Sequence, residues 1–273
     1  YSILKNSTNG IDLITQFDTS NHSVHIAGEV KIDLEDYIEK KQLLRMDRFS
    51  AMAIIASDEA IKQSKLNNDS INKENVGVII GSGIGGIKTF EEQHEKLMES
   101  PRRVSPFFIP SIISDIASGH VSIKYGFQGP NYCVVSACAT ATHAIGDAFR
   151  MISNGDADVI VTGGSDATIS PTAIAGFSNM KALTKNEDPE SANRPFDANR
   201  DGFVMGEGAG ILILEEKEHA KKRNVNILAE ICGYGATADA YHLTSPSPDG
   251  NGAIRAMKKA IENANCLPTD IDY

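Results

Sequence analysis

The sequence predicts an α/β fold, in which apolar strands alternate with helices along the chain. Short β-branched runs such as VGVII (76–80) and ADVIVTGGSD (157–166) are typical of strands buried on both faces of a sheet. Between such runs, apolar residues recur at every third or fourth position, as in 50–66, which indicates amphipathic helices. The 273 residues, 41% of them hydrophobic, suffice for one large domain or two modest ones with a substantial core.

Strands and helices follow from these two patterns through most of the chain. The predicted strands are 76–80, 131–136, 157–166, 208–216 and 226–235. The predicted helices are 50–66, 88–100, the first part of 110–126, 139–154 and 251–265. Gly155 is placed to end the helix that precedes it. The segment 186–203, rich in aspartate and asparagine, is predicted to be an ordered surface loop.

The charge balance and the cysteine content argue against several classes of protein. A formal net charge of −10 disfavours non-specific binding of nucleic acid, which requires a basic face. The longest apolar runs are too short to span a bilayer, and the N-terminus lacks the basic and apolar regions of a secretory signal. The four cysteines form no CxxC pair and have no zinc-finger spacing, so neither a metal site nor a disulfide framework is predicted. We therefore expect a cytoplasmic protein.

One cysteine stands where a predicted strand changes into a predicted helix, in VVSACATATHAIGDAFR (134–150). The first N–H groups of a helix are unpaired and its dipole is positive there, so both favour a thiolate at Cys138. The same N–H groups can stabilise the oxyanion that forms when a sulfur attacks a carbonyl. The small neighbours Ala137 and Ala139 would let the side chain protrude, as in a nucleophile elbow. A free cysteine that packs as a small hydrophobe fits this position equally well, so position alone leaves both possibilities open.

The other cysteines and the nearest histidine are predicted to be structural. Cys133 and Cys232 lie within strand patterns, and Cys266 lies in a loop. His143 follows Cys138 in the same predicted helix, where a separation of five residues corresponds to about 140° around the axis and about 7.5 Å along it. The two side chains do not share a face, so His143 is a poor direct base for the cysteine.

A glycine-rich loop directly after the first predicted strand suggests a second hypothesis. Gly81, Gly83 and Gly86 have the GxGxxG spacing of a dinucleotide-binding loop, as in a nicotinamide-dependent dehydrogenase. That motif requires a second strand ending in an acidic residue about 20 residues later, whereas this window contains LMESPRRVSPFF. The alternative is a glycine turn that lets the backbone approach another element closely. No cofactor is therefore predicted.

Six segments in order along the chain carry a family resemblance. They are FDTSNHSVHIAGEV (17–30), RMDRFSAMA (45–53), GSGIGG (81–86), the stretch 101–150, NRPFDANRDGFVMGEGAGILILEE (193–216) and DAYHLTSPSPDG (239–250). Together they resemble the β-ketoacyl-acyl carrier protein synthases, which belong to the thiolase-like condensing enzymes. The resemblance implies a layered α-β-α-β-α fold, with an N-terminal half at 1–224 that lacks its first strand and the beginning of a C-terminal half at 225–273.

The resemblance also implies a reaction and partners. Cys138 would take an acyl group from an acyl carrier protein thioester, and malonyl-carrier would lose CO2 and attack this acyl-enzyme to give a β-ketoacyl product for fatty acid elongation. A thiolate suits both steps, because it attacks thioesters readily and is a good leaving group. The acyl- and malonyl-loaded carrier protein and a second copy of the chain, in a homodimer, are the implied partners.

Further site residues follow from the resemblance alone. Ile84 would gate the acyl pocket, Phe177 would line it, and Phe108 would line the pocket of the partner subunit; ordinary core packing is the alternative for the two aromatic residues. A basic patch would dock the acidic carrier protein near the tunnel mouth, with solvated surface charge as the alternative. Its members would be Lys41, Arg45, Arg102, Arg103 and Lys181.

Two histidine motifs and a lysine that assist decarboxylation in this family have no match in the sequence. The closing LPTDIDY resembles the segment just before the first of these motifs, so the sequence is expected to be a fragment that cannot complete condensation. A non-catalytic partner subunit of the chain-length-factor type is the alternative function. Such partners lack the nucleophile, so Cys138 counts against it.

Overall fold

The computed structural model describes residues 8–66 and 71–273, and their centre is a mixed four-stranded sheet of order β4-β3-β5-β6. These strands are β3 (Val76–Gly81), β4 (Asn131–Tyr132), β5 (Val159–Asp166) and β6 (Gly208–Glu215). β3 pairs in parallel with β4 and β5, whereas β6 runs antiparallel to β5. A separate antiparallel pair joins β1 (Asp12–Leu13) to β2 (Ile26–Ala27).

Helices connect these strands and confirm the predicted alternation. The helices of the described residues are α1 (Lys40–Leu43), α2 (Arg48–Gln63), α3 (Ile87–Glu99), α4 (Phe108–Ile112), α5 (Ile116–Tyr125), α6 (Thr140–Asn154), α7 (Pro171–Asn179), α8 (Pro189–Ala192), α9 (Lys217–Lys222) and α10 (Asn251–Asn263). The region 110–126 was predicted to be helical only in its first part, whereas α4 and α5 make it helical almost as far as Gly126. Gly155 ends α6 in a left-handed conformation, with φ 81°, as predicted.

The sheet is covered on both faces because its side chains alternate between two cores. Val78 and Ile80 of β3 pack with residues of α2 and α5 in one core. Ile79 of β3 points to the other face, where it packs with Ala144 and Ala148 of α6. Continuous apolar strands are the sequence signature of this arrangement, which the sequence predicted.

A further layer lies on the side of α6 that faces away from the sheet. A Cβ at Gly146 of α6 would lie 2.2 Å from the Tyr234 ring, so the segment around Tyr234 packs directly on α6. A Cβ at Gly233 would lie 2.3 Å from the Ala260 carbonyl oxygen, so the same segment also contacts α10. The layers therefore follow in the order helices, sheet, α6, the segment around Tyr234, and α10.

Two of the predicted strands are wrong in extent. The strand predicted at 131–136 consists of β4 alone, because the chain turns at Ser136, whose backbone N–H donates to Thr140 Oγ1 at 2.8 Å. The strand predicted at 226–235 has no regular secondary structure. An apolar pattern specifies burial, whereas a strand also requires a hydrogen-bonded partner, and no described residue pairs with this segment.

The surface loop predicted at 186–203 is also found in the structure. The segment 186–203 is a surface loop interrupted only by the short helix α8. No helix within residues 8–66 and 71–273 is both long and apolar enough to cross a membrane.

Candidate active site

Cys138 lies in the turn that joins the sheet to α6. Residues Ala137–Ala139 form a single 3-10 turn immediately before α6, and Cys138 is exposed there. Ala137 adopts φ 49°, in the left-handed region that residues with a Cβ rarely occupy. Such local strain persists only where surrounding contacts enforce it, and it is concentrated at functional turns. The predicted position of Cys138 just before a helix is confirmed, although the preceding strand already ends at Tyr132, and the strain lies one residue before the sulfur.

A cavity of about 250 Å³ opens beside Cys138. It is lined by backbone at the carboxyl ends of β3 and β5, by the start of α6, and by the residues that enter β6. The charged side chains among the lining residues are Asp166 and Glu207. The cavity thus joins an exposed thiol to two carboxylates from distant parts of the sequence.

Glycines at the strand ends allow α6 to approach the sheet this closely. A Cβ at Gly81 would lie 2.3 Å from Thr140 Cγ2, and a Cβ at Gly164 would lie 2.8 Å from Ala141 Cβ. Any side chain at either position would push the first turn of α6 away from the strands. The glycine loop predicted for close approach therefore places the turn of Cys138 directly over β3 and β5.

The glycine loop also donates hydrogen bonds to the end of β5. The backbone N–H of Gly83 donates to both carboxylate oxygens of Asp166, at 3.0 and 3.1 Å, and that of Ile84 donates to Oδ1 at 3.3 Å. In a dinucleotide-binding loop, these two amide groups would have to face a pyrophosphate. Here they already donate to a carboxylate. This geometry counts further against the dehydrogenase hypothesis.

Glu207 is held in the wall of the cavity by a buried ion pair. Its side chain is 0% exposed, and its partner Arg48 is 19% exposed. Arg48 Nη2 donates to Glu207 Oε1 at 2.7 Å, and Arg48 Nε lies 3.0 Å from each carboxylate oxygen. Gln16 Nε2 and the Val30 backbone N–H donate to the same carboxylate, each at 3.0 Å. The pair therefore joins α2, the start of β6 and the segments beside β1 and β2.

Removal of one partner of this pair should destabilise the protein strongly. Glu207→Ala leaves the Arg48 guanidinium buried without its carboxylate, so we expect unfolding to become easier by about 3–5 kcal/mol. The double variant Arg48→Met/Glu207→Leu removes both charges and should recover much of that loss, because a hydrophobic replacement leaves no unpaired ion. Urea denaturation followed by circular dichroism measures both variants. A single variant as stable as the parent would contradict the structural role of the pair.

His143 bonds to a serine in the structure, in agreement with the prediction that it does not serve Cys138 directly. Its Nδ1 lies 2.6 Å from Ser136 Oγ, and its ring packs edge-on against Tyr234, with centroids 6.4 Å apart. These contacts join the turn before Cys138 to the outer segment that covers α6. His143 thus has structural contacts on both sides of the turn that carries Cys138.

Two of the other cysteines differ from their predicted strand positions. Cys133 follows the last residue of β4 and is half-buried, and burial raises the pKa of its thiol above the usual value. Cys232 is exposed, because the strand predicted around it does not form. Cys266 is exposed in a loop, as predicted. Exposure therefore does not distinguish Cys138 from Cys232 and Cys266, whereas its position at the cavity does.

The three apolar residues taken from the resemblance lie in different surroundings. Ile84 projects from the glycine loop and is 43% exposed. Phe177 of α7 is partly buried and packs edge-on against Phe203, with ring centroids 5.7 Å apart. Phe108 begins α4 and lies 6.1 Å from the Phe90 ring. Their roles in an acyl pocket stay predictions, since none of them lines the cavity beside Cys138.

The five basic residues are all exposed, and the structure connects some of them. The Arg45 guanidinium lies 4.8 Å from the centre of the Phe107 ring, which brings the end of α1 next to the loop that follows Arg102 and Arg103. Arg103 forms an ion pair with Glu99 of α3. Lys41 lies in α1, and Lys181 lies just past α7. Their role in docking stays a prediction.

Sequence reasoning missed the charged residues of the cavity. Arg48 and Glu207 lie 159 positions apart, and Asp166 lies 83 positions from Gly83. No local pattern marks such pairs, although an acidic residue between glycines, as in MGEGAG, is a signal that a carboxylate faces closely packed backbone.

No group of three or more metal-ligating side chains occurs in the part of the chain that the structure describes.

Layer order, sheet topology and the turn of Cys138 together define a thiolase-like fold, and solved structures share it. A β-ketoacyl synthase from Burkholderia phymatum superposes with a TM-score of 0.90 at 30% identity, over 100% of this chain and 67% of that one. A type II polyketide ketosynthase, solved with its acyl-carrier protein and bound to a hexaketide, superposes with a TM-score of 0.86 at 27% identity, over 100% of this chain and 67% of that one.

The chain belongs to the β-ketoacyl synthase family. The model of the β-ketoacyl synthase N-terminal domain matches residues 2–220, and that of the C-terminal domain matches residues 228–273. The chain is 54% identical over 267 residues to 3-oxoacyl-(acyl-carrier-protein) synthase 2 of Staphylococcus aureus, covering 97% of this chain and 66% of the relative. It is 47% identical over 273 residues to the enzyme of the same name from Synechocystis, covering 99% of this chain and 66% of that relative. The chain thus spans about two thirds of the length of these relatives.

Proposed function

We propose that the protein carrying this chain is a β-ketoacyl-acyl carrier protein synthase that elongates fatty acids by decarboxylative condensation. The observation that carries the proposal is the exposed Cys138 thiol in the 3-10 turn that leads into α6, beside a cavity at the carboxyl ends of the parallel strands. The 54% identity to a 3-oxoacyl-(acyl-carrier-protein) synthase 2 supports the same reaction. The partner-subunit alternative is not favoured, because these relatives are synthases and the nucleophile is present.

The geometry of the turn suits the first half-reaction. The Cys138 sulfur attacks the carbonyl carbon of an acyl-carrier thioester, a C–S bond forms to Cys138, and the carrier thiol leaves with a proton. The negative charge develops on the carbonyl oxygen, where a free backbone N–H can stabilise it. No described residue accepts a hydrogen bond from the Cys138 backbone N–H, which remains available at the start of α6 for this role.

The second half-reaction forms the new carbon–carbon bond. Malonyl-carrier loses CO2, and the resulting carbanion attacks the carbonyl carbon of the acyl-enzyme. The tetrahedral intermediate collapses with release of the Cys138 thiolate and leaves a β-ketoacyl chain on the carrier. The two histidine motifs that assist decarboxylation in the family have no match in these 273 residues, so this step is proposed for the complete protein.

The proposed partners are an acyl carrier protein and a second copy of the chain. One structural neighbour is a ketosynthase in complex with its acyl-carrier protein, and that contact supports docking of a carrier here. Acyl carrier proteins are acidic, so the exposed patch of Arg45, Arg102 and Arg103 offers the complementary charge on a chain of net charge −10. Ile84, Phe177 and, across a homodimer, Phe108 are the proposed acyl-pocket residues.

The test follows the acyl group in each half-reaction separately. Incubation of the complete protein with octanoyl-carrier thioester should add one octanoyl group to the peptide that contains Cys138, as read by mass spectrometry of peptide digests. Addition of malonyl-carrier should then remove that group and release CO2 and a β-ketoacyl-carrier. Acylation at Cys232 or Cys266 instead, or an acyl-enzyme that malonyl-carrier never discharges, would refute the proposal.

A further inference from the structure

We propose that Asp166 is a positioning residue for acyl transfer, because its carboxylate holds the glycine loop, residues 81–86, against the turn that carries Cys138. This inference rests on the proposed function, since its consequence is measured as transfer of an acyl group to Cys138. Asp166 lines the same cavity as Cys138. Its proposed effect on the sulfur passes through the glycine loop and the turn. It is therefore expected to set the geometry of the site rather than to exchange protons with substrate.

The carboxylate binds successive residues of the glycine loop. Ser82 Oγ donates to Asp166 Oδ1 at 2.9 Å, and the Gly83 backbone N–H donates to both oxygens. The Ile84 backbone N–H adds a longer bond to Oδ1 at 3.3 Å. Ser82 Oγ in turn accepts from the Gly85 backbone N–H at 3.0 Å. One side chain thus fixes, directly or through Ser82, every residue from Ser82 to Gly85.

The loop transmits this position to the nucleophile turn. A Cβ at Gly83 would lie 3.4 Å from Asp166 Oδ2 and 3.6 Å from the Ala137 carbonyl oxygen. Gly83 therefore lies beside both the carboxylate and the residue before Cys138. Ala137 has φ 49°, a strained conformation that persists only where surrounding groups support it. The neighbouring backbone of Gly83 is one of the constraints that can supply this support.

The carboxylate is itself fixed by the end of β5. Ser165 is buried, and its Oγ donates to the Phe49 carbonyl oxygen of α2 at 2.7 Å. Asp166 is the last residue of β5 and pairs with Gly208 of β6. The rigid strand end, the carboxylate, the loop and the turn thus form a continuous chain of contacts that ends at Cys138. An acyl transfer step that needs the sulfur and the oxyanion donor in register is sensitive to a shift of about 1 Å in such a chain.

A purely structural role for Asp166 predicts a different result. If the carboxylate only added stability, its removal would lower the melting temperature and leave the folded molecules as active as before. If it positions the turn, the folded molecules lose acyl transfer, which depends on alignment of the oxyanion donor. Alkylation of the same sulfur by iodoacetamide needs no such donor, so it separates the two cases.

The experiment compares Asp166→Ala and Asp166→Asn with Asp158→Asn in the complete protein. Asparagine can keep the acceptor at Oδ1 and loses only the Oδ2 contact with Gly83, so it tests a smaller perturbation. Asp158 immediately precedes β5 at its opposite end and bonds to Asn75 Nδ2 at 2.9 Å, so it is a matched control far from the site. Acylation of Cys138 by octanoyl-carrier and alkylation of Cys138, Cys232 and Cys266 by iodoacetamide are measured well below each melting temperature.

The expected result is a selective loss of acyl transfer. Asp166→Ala should lower the kcat of acylation about 10-fold to 100-fold with little change in KM, and Asp166→Asn should lower it by about 3-fold to 10-fold. Iodoacetamide should label Cys138 within about 3-fold of the parent rate, and its rates at Cys232 and Cys266 should not change, because alkylation needs no oxyanion donor. Asp158→Asn should keep the parent kcat.

Two results would overturn the inference. Acylation within about 2-fold of the parent in Asp166→Asn, or in folded Asp166→Ala, would show that the loop does not need this carboxylate. Parallel loss of acylation and alkylation would show that the side chain affects only access or folding. If Asp166→Ala fails to fold, Asp166→Asn decides by the same criteria. A parent protein that never acylates Cys138 would instead refute the proposed function and is distinguished at once.

Discussion

Replacement of Cys138 by alanine is expected to abolish transfer of the acyl group, with a loss of about 1,000-fold or more in the rate of product formation. The reason is chemical, since no bond can form between the enzyme and the acyl group without a nucleophile at this position. Cys138→Ser keeps nearly the same shape but offers a weaker nucleophile, so it should retain at most a small residue of activity. Product formation from acyl- and malonyl-carrier, followed by mass spectrometry, measures both variants.

Cysteine variants elsewhere in the chain provide the controls. Cys266→Ala removes another exposed thiol, and Cys133→Ala removes the half-buried thiol whose pKa is raised by burial. Neither sulfur lines the cavity, so both variants should form product at the parent rate. If Cys266→Ala lost as much activity as Cys138→Ala, the assignment of Cys138 as the nucleophile would be contradicted.

Gly163→Ala is expected to destabilise the protein strongly, with a loss of about 3 kcal/mol or more in the free energy of unfolding. Gly163 lies inside β5 with φ 144°, which an alanine rarely adopts. Its added Cβ would lie 2.0 Å from the Gly210 carbonyl oxygen. Because this oxygen belongs to the backbone of a paired strand, it can move away only if the two strands separate. Separation of β5 from β6 would also disturb the entry to β6, where Glu207 lies. Urea denaturation of the complete protein checks this expectation.

A second glycine-to-alanine change provides the opposite expectation. Gly176 lies in α7, where an added Cβ meets no atom within 4 Å. Alanine is preferred over glycine inside a helix, so Gly176→Ala should stabilise the protein by about 0.5–1 kcal/mol. If Gly163→Ala were as mild as Gly176→Ala, the close pairing of β5 and β6 at this point would be contradicted.

The sequence predicted those parts of the fold that depend on local patterns. The apolar runs of β3, β5 and β6 and the periodic faces of α2, α6 and α10 lie where the two periodicities place them. The segment 226–235 has the same apolar character as these strands, yet it pairs with nothing in the described residues. Pairing is a property of two segments, and a pattern within one of them carries no information about the other.

The candidate site divides in the same way. The position of Cys138 is visible locally, because a predicted strand changes there into a predicted helix, whereas its role as a nucleophile is what the family resemblance implies. Asp166 and Glu207 were missed, because their significance depends on contacts with Gly83 and Arg48 in remote parts of the chain. The prediction that His143 does not serve Cys138 directly required only the geometry of a single helix. In the structure, the hydrogen-bond partner of His143 is Ser136.

The ion pair between Arg48 and Glu207 also constrains the order of events during folding. Its two members are 159 positions apart, so the chain must close a very long loop before the pair can form. Contacts of such sequence separation are made slowly, whereas the backbone hydrogen bonds of α6 lie within one short stretch of chain. The cavity beside Cys138 therefore cannot be complete until residue 207 has left the ribosome. A nascent chain therefore carries the Cys138 thiol well before it carries the wall of the cavity that Glu207 forms.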